Sequence, residues 1–550
     1  MRSATLRHGL LLSLLVLGLA APSVPAEEPP AASGEAQTQQ LFGEGGGELV
    51  LDLKRAIDLA LENNEEIALS RLELRQAIAG VNESLGILDP TLTVSTDYRD
   101  AKNIQPNTFN VANPIIDETA FNLNMSLSGL LPTGTKYSLS ALHQRSTSES
   151  GFVLFSPEYN ATVSASLTQP LLKGFGLGVT MGGIRIARIE RQIETENYEN
   201  KISERILATI EAYWELAFAI ENLKNQQESL EVAKDLVRAA ENRVKVKLDP
   251  PIALTQAREG AAQREEKVLI ARNQLGVAED TLKKLIGMTR DNVQLNARIR
   301  TVEEAPEESA MLLDADSAVK MARSRRPEYE VARLTFEQLD TTHRTAQNAT
   351  LPQFDVSIEG GLSGLGGKAK TCEADDDLDD SCDQDRENAL NALNSQFNGS
   401  FGRAYDDILN ANAPYWKVSG VLTIPLGNRT ARSQLTKAIL DEQIATENFK
   451  LLDQTVLLEV RSALRSVLTD RQRFRTTEIG VELAKENLNA ERKRYEVGLS
   501  TGLDVLEQEE NHNLARASRA RAVSDYNISL ARYRKAVGIL LDNYGIVAGE

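Results

Sequence analysis

Few residues in this 550-residue sequence have side chains and spacings that could carry chemistry. The four histidines, His8, His143, His343 and His512, stand far apart. None pairs with a cysteine or carboxylate at a metal-ligand spacing. No phosphate-binding glycine loop or G-x-S-x-G nucleophile turn is present. Cys372 and Cys382 bracket a run of acids, Glu373, Asp375–Asp377, Asp379 and Asp380. In an exported chain two such close cysteines are expected to pair. Closing so short a loop stabilises it by roughly 2–3 kcal/mol on the chain-entropy estimate. The acids lack the glycine-turned ligand loop of a calcium site, so they read as a solvated surface loop. Two further carboxylates, Asp504 and Glu507, lie three residues apart and so share one helix face. The helix dipole alone favours acids in such a first turn. No catalytic residue, metal or cofactor is expected.

The elements that position these residues repeat in tandem. Residues 56–95 align without a gap with 318–357, with nine identities in forty positions. Val163–Leu171 matches Val418–Leu426 at six of nine positions, and residues 206–287 match 457–538 at a constant offset of 251. A period of roughly 255 residues is far beyond a solenoid unit of about 20–50 residues. It reads as duplication of one half-structure with a helix–strand–strand–helix order, residues 49–300 and then 301–550. Prolines mark the equivalent junctions. Pro90 and Pro352 separate a helical stretch from a strand, and Pro170 and Pro425 a strand from a helical stretch. Each removes a backbone donor and pushes the preceding residue into extended geometry.

Strands are expected at 91–99, 160–169, 353–361 and 415–425, where apolar and polar residues alternate: Leu92, Val94 and Tyr98 against Thr93, Ser95 and Asp97, for example. An apolar exterior around a polar interior is what a water-filled transmembrane barrel requires, in segments of about ten residues. Residues 120–130 and 135–143, joined by Pro132-Thr133-Gly134-Thr135, read as an extra hairpin in the first half, either an extension of the outer loops or two more barrel strands per protomer. Long helices are expected at 184–247, 252–287, 430–497 and 502–541. The first, about 60 residues, would span on the order of 90 Å. Heptad-spaced stripes such as Ile206/Tyr213/Ile220 and Val460/Val467/Phe474 suit coiled-coil seams; an ordinary antiparallel bundle fits them equally well locally.

Aromatic residues are 5% of the chain and charged residues 25%, as long helices with small seams require. The net charge of −18 argues against a nucleic-acid partner. Arg2, Arg7 and His8, the apolar stretch Leu10–Ala21 and the Val24-Pro25-Ala26 site make residues 1–26 a cleaved secretory signal. Residues 27–48, rich in Pro, Gly, Ala and Glu, read as a flexible leader.

The tandem order, the marked junctions and the turn Arg494-Tyr495-Glu496-Val497-Gly498-Leu499-Ser500-Thr501-Gly502-Leu503-Asp504-Val505-Leu506 resemble the TolC family of outer-membrane efflux proteins, over about residues 49–541. The resemblance implies an α+β membrane protein. It would be a homotrimer whose strands, four per protomer and twelve in all, close one β-barrel in outer-membrane lipid above a periplasmic helical tunnel. It implies two partners, a periplasmic adaptor and an inner-membrane transporter, serving drug efflux or type I secretion. Gly498, Leu499 and Ser500 would meet the adaptor. Asp504 and Glu507 would ring the closed entrance, where crowded carboxylates raise one another's pKa and attract cations. The first half departs from this pattern: Lys247 replaces the glycine, Pro250-Pro251 stiffens the tip, and Ala253 stands where Asp504 does. A non-transporting periplasmic coiled-coil scaffold is the alternative.

Overall fold

A computed structural model describes residues 48–104, 115–150, 153–248, 250–290, 296–302, 314–370 and 384–546. The expected signal, nearly all of the leader, and Cys372 and Cys382 lie outside the described residues. The chain runs β1 (Glu48–Leu51), α1 (Leu53–Asn63), α2 (Glu65–Leu85), β2 (Thr91–Ile104), β3 (Ile115–Leu130), β4 (Lys136–Ser148), β5 (Phe155–Pro170), α3 (Gly182–Lys245) and α4 (Pro251–Leu285). It continues with β6 (Arg298–Thr301), α5 (Ala315–Arg325), α6 (Pro327–Ala349), β7 (Gln353–Ala369), α7 (Gln384–Phe397), α8 (Phe401–Leu409), β8 (Pro414–Thr423), α9 (Arg429–Glu496), α10 (Gly502–Val537) and α11 (Leu540–Tyr544).

α3 and α9 have 64 and 68 residues, close to 100 Å each at about 1.5 Å per residue. Each turns back into a shorter partner, α4 or α10, so the chain carries two long antiparallel hairpins. In the second hairpin Val460, Val467, Phe474 and Leu488 are buried at multiples of seven residues, the spacing that keeps a seam facing its partner. Near the tip of the first hairpin the buried seam of α3 is alanine, Ala233 and Ala240. The larger Leu230, Val237 and Val244 are only half-buried. No helix among the described residues is long and apolar enough to cross a membrane.

Two joints brace the middle of these hairpins. Asn64 ends α1 and caps α2, its side chain accepting from the Glu66 and Ile67 amides and donating to Leu285 O at 2.9 Å. At the aligned position Arg326 precedes Pro327, the first residue of α6. Its buried guanidinium pairs with Glu328 at 2.8 Å and Glu459 at 2.7 Å. Burial would lower the Arg326 pKa, but these two carboxylates hold it above its ordinary value. The short parallel pair β1–β6 packs nearby, where the buried Tyr213 hydroxyl donates to Val302 O at 3.0 Å.

The large sheet is antiparallel with the order β2-β3-β4-β5-β7-β8. Among the described residues this sheet therefore has six strands, the four expected and the hairpin β3–β4 inserted between β2 and β5. Register separates two faces. Leu92, Leu127, Leu139 and Ala165 are successive partners across the sheet, as are Val94, Met125, Ala141, Val163 and Leu362. The opposite face carries Thr93, Ser126, Ser140, Ser164 and their neighbours. Large apolar side chains of the first face stay exposed, Leu92 at 58%, Ile358 at 55% and Trp416 at 81%. Leu142 and Val421 break the pattern on the polar face. Tyr98 and Phe121 are paired at the outer end of the apolar face, where an aromatic girdle belongs. There α8 folds back over the sheet. A Cβ on Gly364 would meet Ala404 O at 1.8 Å, so glycine is what lets the helix lie so close.

Candidate functional site

The ends of the two hairpins, farthest from the sheet, hold the acidic pair and the turn singled out in the sequence. Both turns have one backbone design. The amides of Lys247 and Leu248 bond to Val244 O at 3.0 Å and Arg243 O at 2.9 Å. Those of Gly498 and Leu499 bond to Tyr495 O at 3.0 Å and Arg494 O at 2.8 Å. This closure needs a left-handed residue, met by Gly498 at φ 79° and by Lys247 at φ 60°. For lysine that conformation costs about 1–2 kcal/mol.

The helices that follow start differently. Pro250 and Pro251 begin α4 with fixed φ and no side-chain cap. α10 begins with a capping box: Thr501 Oγ1 accepts from the Asp504 amide at 3.3 Å, and the Thr501 amide donates to Asp504 Oδ2 at 2.9 Å. The Thr501 and Ser500 hydroxyls also donate to Asp504, at 2.6 and 3.2 Å. These bonds, Thr501's first, hold the Asp504 carboxyl below its ordinary pKa. Ser500 also bonds Glu491, so its hydroxyl is committed within the turn. Leu499 projects, 80% exposed. Glu507 is exposed with no hydrogen-bond or ion-pair partner among the described residues. The two acids share a face as expected, one tied into a cap and one free.

Sequence reading missed the groups that join the hairpins. Arg264 of α4 is 5% exposed. Its guanidinium donates to Leu506 O of α10 at 3.0 Å, to Gly260 O at 3.0 Å and to Ser229 Oγ of α3 at 3.2 Å. It also lies 3.5 Å from Glu510, which Lys267 pairs with as well. Nearer the tip the Arg243 guanidinium sits 5.0 Å from the centre of the Tyr495 ring, a cation–π contact between the turns. Glu509, buried, pairs with Arg492 at 2.8 Å within the second hairpin. Arg264 had a legible signal: Ala257, Arg264, Ala271 and Ala278 recur at seven-residue spacing, all buried, and a charge in an alanine seam needs partners. The same interface buries Asn225, 1% exposed, with neither side-chain polar atom partnered, and Asn513, whose Nδ2 reaches Gln226 at 3.1 Å.

These observations define a class: a sheet with one lipid-compatible face, carried on a stalk of long helical hairpins whose tips are joined side by side. The model of the family described as outer membrane efflux protein matches residues 134–288 and 318–539. Outer membrane protein TolC of Escherichia coli (strain K12) is 24% identical over 353 residues, 63% of this chain and 64% of that protein, so the chain spans a little under two thirds of that relative. Among solved structures, the outer membrane channel CmeC of Campylobacter jejuni fits with a TM-score of 0.63 at 18% identity, covering 90% of this chain and 87% of that one. VceC of Vibrio cholerae fits at 0.59 and 17%, covering 88% and 96%. These two likenesses carry the fold. The family match carries the assignment: the chain belongs to the outer membrane efflux protein family. The family's description places it in the outer membrane, and CmeC is an outer membrane channel.

Proposed function

We propose that three copies of this chain form a passive export duct. Their sheets close into one outer-membrane barrel, and their helical hairpins continue it as a periplasmic tunnel. An adaptor protein docks at the tips, and an inner-membrane transporter supplies energy and selects the cargo, a small molecule or a secreted protein. The observation that carries this is the sheet, whose exposed apolar face and polar opposite face suit a lipid-embedded wall around water. Exposed apolar side chains along α9 (Leu451, Leu458, Leu468, Ile479, Leu483) are what a neighbouring copy would cover. The two halves are equivalent units, 49–300 and 301–550, placed alternately around the tunnel. The exposed Val246, Leu248, Val497 and Leu499 at the tips favour adaptor docking by Gly498, Leu499 and Ser500 together with the first turn. In this duct Arg264 clasps the closed tip, binding the first hairpin to the α10 backbone across a seam that Asn225 leaves partly unsatisfied.

The test is single-channel conductance of the purified protein in planar bilayers. Discrete, long-lived conductance steps are expected; a scaffold would give none. Alanine at both Asp504 and Glu507 should raise the leak of the closed channel and alter its block by divalent cations. If leak and block both stay as in the parent, the acidic entrance ring is wrong.

A further inference from the structure

Hairpin β3–β4 sits where a strand-to-helix scheme of four junctions per chain has no place for it. α2 leads into β2, β5 leads into α3, α6 into β7 and β8 into α9. The hairpin instead turns at Leu131–Thr135 with no helix of its own beneath. It is nevertheless bonded along its length on both flanks. β2 pairs with β3 from Thr91↔Ser128 to Ile104↔Ile115, and β4 pairs with β5 from Lys136↔Thr168 to Ser146↔Glu158. Side chains on the polar face tie the same seams: Asn122 to Asp97 at 2.8 Å and Ser140 to Ser164 at 2.6 Å. β3 alternates in step with its neighbours, with Phe121, Leu123, Met125 and Leu127 on the apolar face and Asn122, Asn124, Ser126 and Ser128 on the polar one; β4 keeps Leu139 and Ala141 on the apolar face, with His143 and Arg145 beyond them toward the outer end.

The helical layer has been altered to suit. The connection from β5 to α3, Leu171–Met181, is eleven residues, whereas that from β8 to α9, Ile424–Asn428, is five. The longer connection runs under the hairpin turn. Gly176 N donates to Thr133 O at 3.2 Å, and a Cβ on Gly134 would meet Gly174 O at 2.5 Å. Next to it the ends of α2 and α3 part around a cleft of about 1350 Å³, lined by Glu83, Ser84, Ile87, Thr180, Gly183 and Ile184. Helices that stay in contact lower down diverge where two extra strands separate β2 from β5.

We propose that β3–β4 is part of the conduit wall, so that the trimer closes an eighteen-stranded barrel. This rests on the export-duct reading above. At about 4.8 Å between strands tilted by about 40°, twelve strands give a backbone radius of roughly 12 Å and eighteen roughly 18 Å. Twelve helices about 9–10 Å apart form a ring of roughly 17–19 Å radius, so eighteen strands meet the helical tunnel without a change of calibre. The added wall is chemically neutral. Between Glu118 at its outer end and Lys136 at its inner end, its polar face carries no charge, only amides and hydroxyls with Ala120, Leu130 and Leu142 among them, whereas Asp97, Asp355, Glu359 and Lys417 lie on the other strands. The outer-membrane segment thus passes bulky solutes and selects little by charge along this arc.

The test is single-cysteine labelling in proteoliposomes with a membrane-impermeant maleimide, in a Cys372→Ser/Cys382→Ser background. Control pairs are Val94→Cys with Ser95→Cys in β2 and Ile358→Cys with Ser357→Cys in β7; the hairpin pair is Met125→Cys with Ser126→Cys. The expected result is labelling at 95, 357 and 126 and loss of labelling at 94, 358 and 125. Alternation in the controls with labelling of both hairpin positions overturns the eighteen-stranded wall and leaves the duct intact. Labelling of both faces in the controls overturns the barrel itself. Counting strands in the trimer by electron cryomicroscopy gives a second reading, with eighteen expected and twelve refuting.

Discussion

The two tips reach one backbone geometry by opposite chemical routes. The turn after α9 has a glycine where the chain must be left-handed and a Thr501–Asp504 capping box where the next helix begins. The turn after α3 has a strained lysine and a pair of prolines. The second tip is locally self-sufficient in its turn, where Ser500, Thr501 and Asp504 answer one another. The first is stiff, uncapped, and joined to its neighbour through Arg243 and Arg264. Local order in one tip and cross-hairpin attachment in the other divide the work, and the asymmetry locates the clasp on the first hairpin.

The sharpest way to break this comparison is at Arg264. Its aligned position in the second hairpin is Ala515, so Arg264→Ala makes the two alike. The change leaves the Leu506 carbonyl and the Ser229 hydroxyl without their charged donor in a buried seam, a loss of about 3 kcal/mol. Amide hydrogen exchange in the first turns of α10 should accelerate, and closed-channel leak should rise. Arg264→Met keeps most of the volume and should give the same leak. If Arg264→Met behaves as the parent, packing and not the charged hydrogen bonds holds the tips together.

The turn residues come next in size. Gly498→Ala puts a side chain where φ is 79° and should destabilise the second hairpin by about 1–2 kcal/mol. Lys247→Gly should move the first in the opposite direction by less than about 1 kcal/mol, because glycine's entropy in the unfolded chain offsets the relieved strain. Denaturant midpoints of the two variants should therefore shift in opposite senses. Shifts of the same sign would mean that Lys247 earns its conformation through contacts beyond the turn.

Much of this was readable in the sequence. Strand alternation, junction prolines and heptad stripes are local signals with fixed periods, and they located the sheet and the long helices. The hairpin 120–143 was also visible. What it did to the sheet was not, because strand order depends on which edges meet and leaves no periodic mark. The tip turn was legible because Gly498 and Asp504 act within four residues of themselves. For Arg264 the alanine seam around it was legible but its partners were not, since Ser229 and Leu506 lie 35 and 242 residues away. Thr501 passed unnoticed for the opposite reason, as a common N-cap residue beside an acid that drew the attention. Thr501→Ala should cost about 1 kcal/mol, seen as fraying of α10 by hydrogen exchange, with no counterpart at Pro250, which caps nothing.

The smallest effect separates two roles for one carboxylate. Asp504 is held below its ordinary value of 3.8 by the Thr501 hydrogen bonds. A carboxyl with a lowered folded-state pKa stabilises the fold fully above its unfolded value, and that contribution disappears as pH falls through the folded one. The capping role therefore predicts a tip whose protection is flat from pH 7 to about 4 and weakens only below that. Asp504→Asn should flatten this acid limb, while Glu507→Gln, which removes a carboxylate with no partner among the described residues, should leave it in place. An entrance ring predicts the reverse ordering for current: removing the free charge at Glu507 should relieve cation block more than removing the bonded one at Asp504. Measured together, exchange protection and block assign each acid separately. If Asp504→Asn changes block more than Glu507→Gln does, the capped carboxylate faces the pore after all, and the second tip is gate as well as cap.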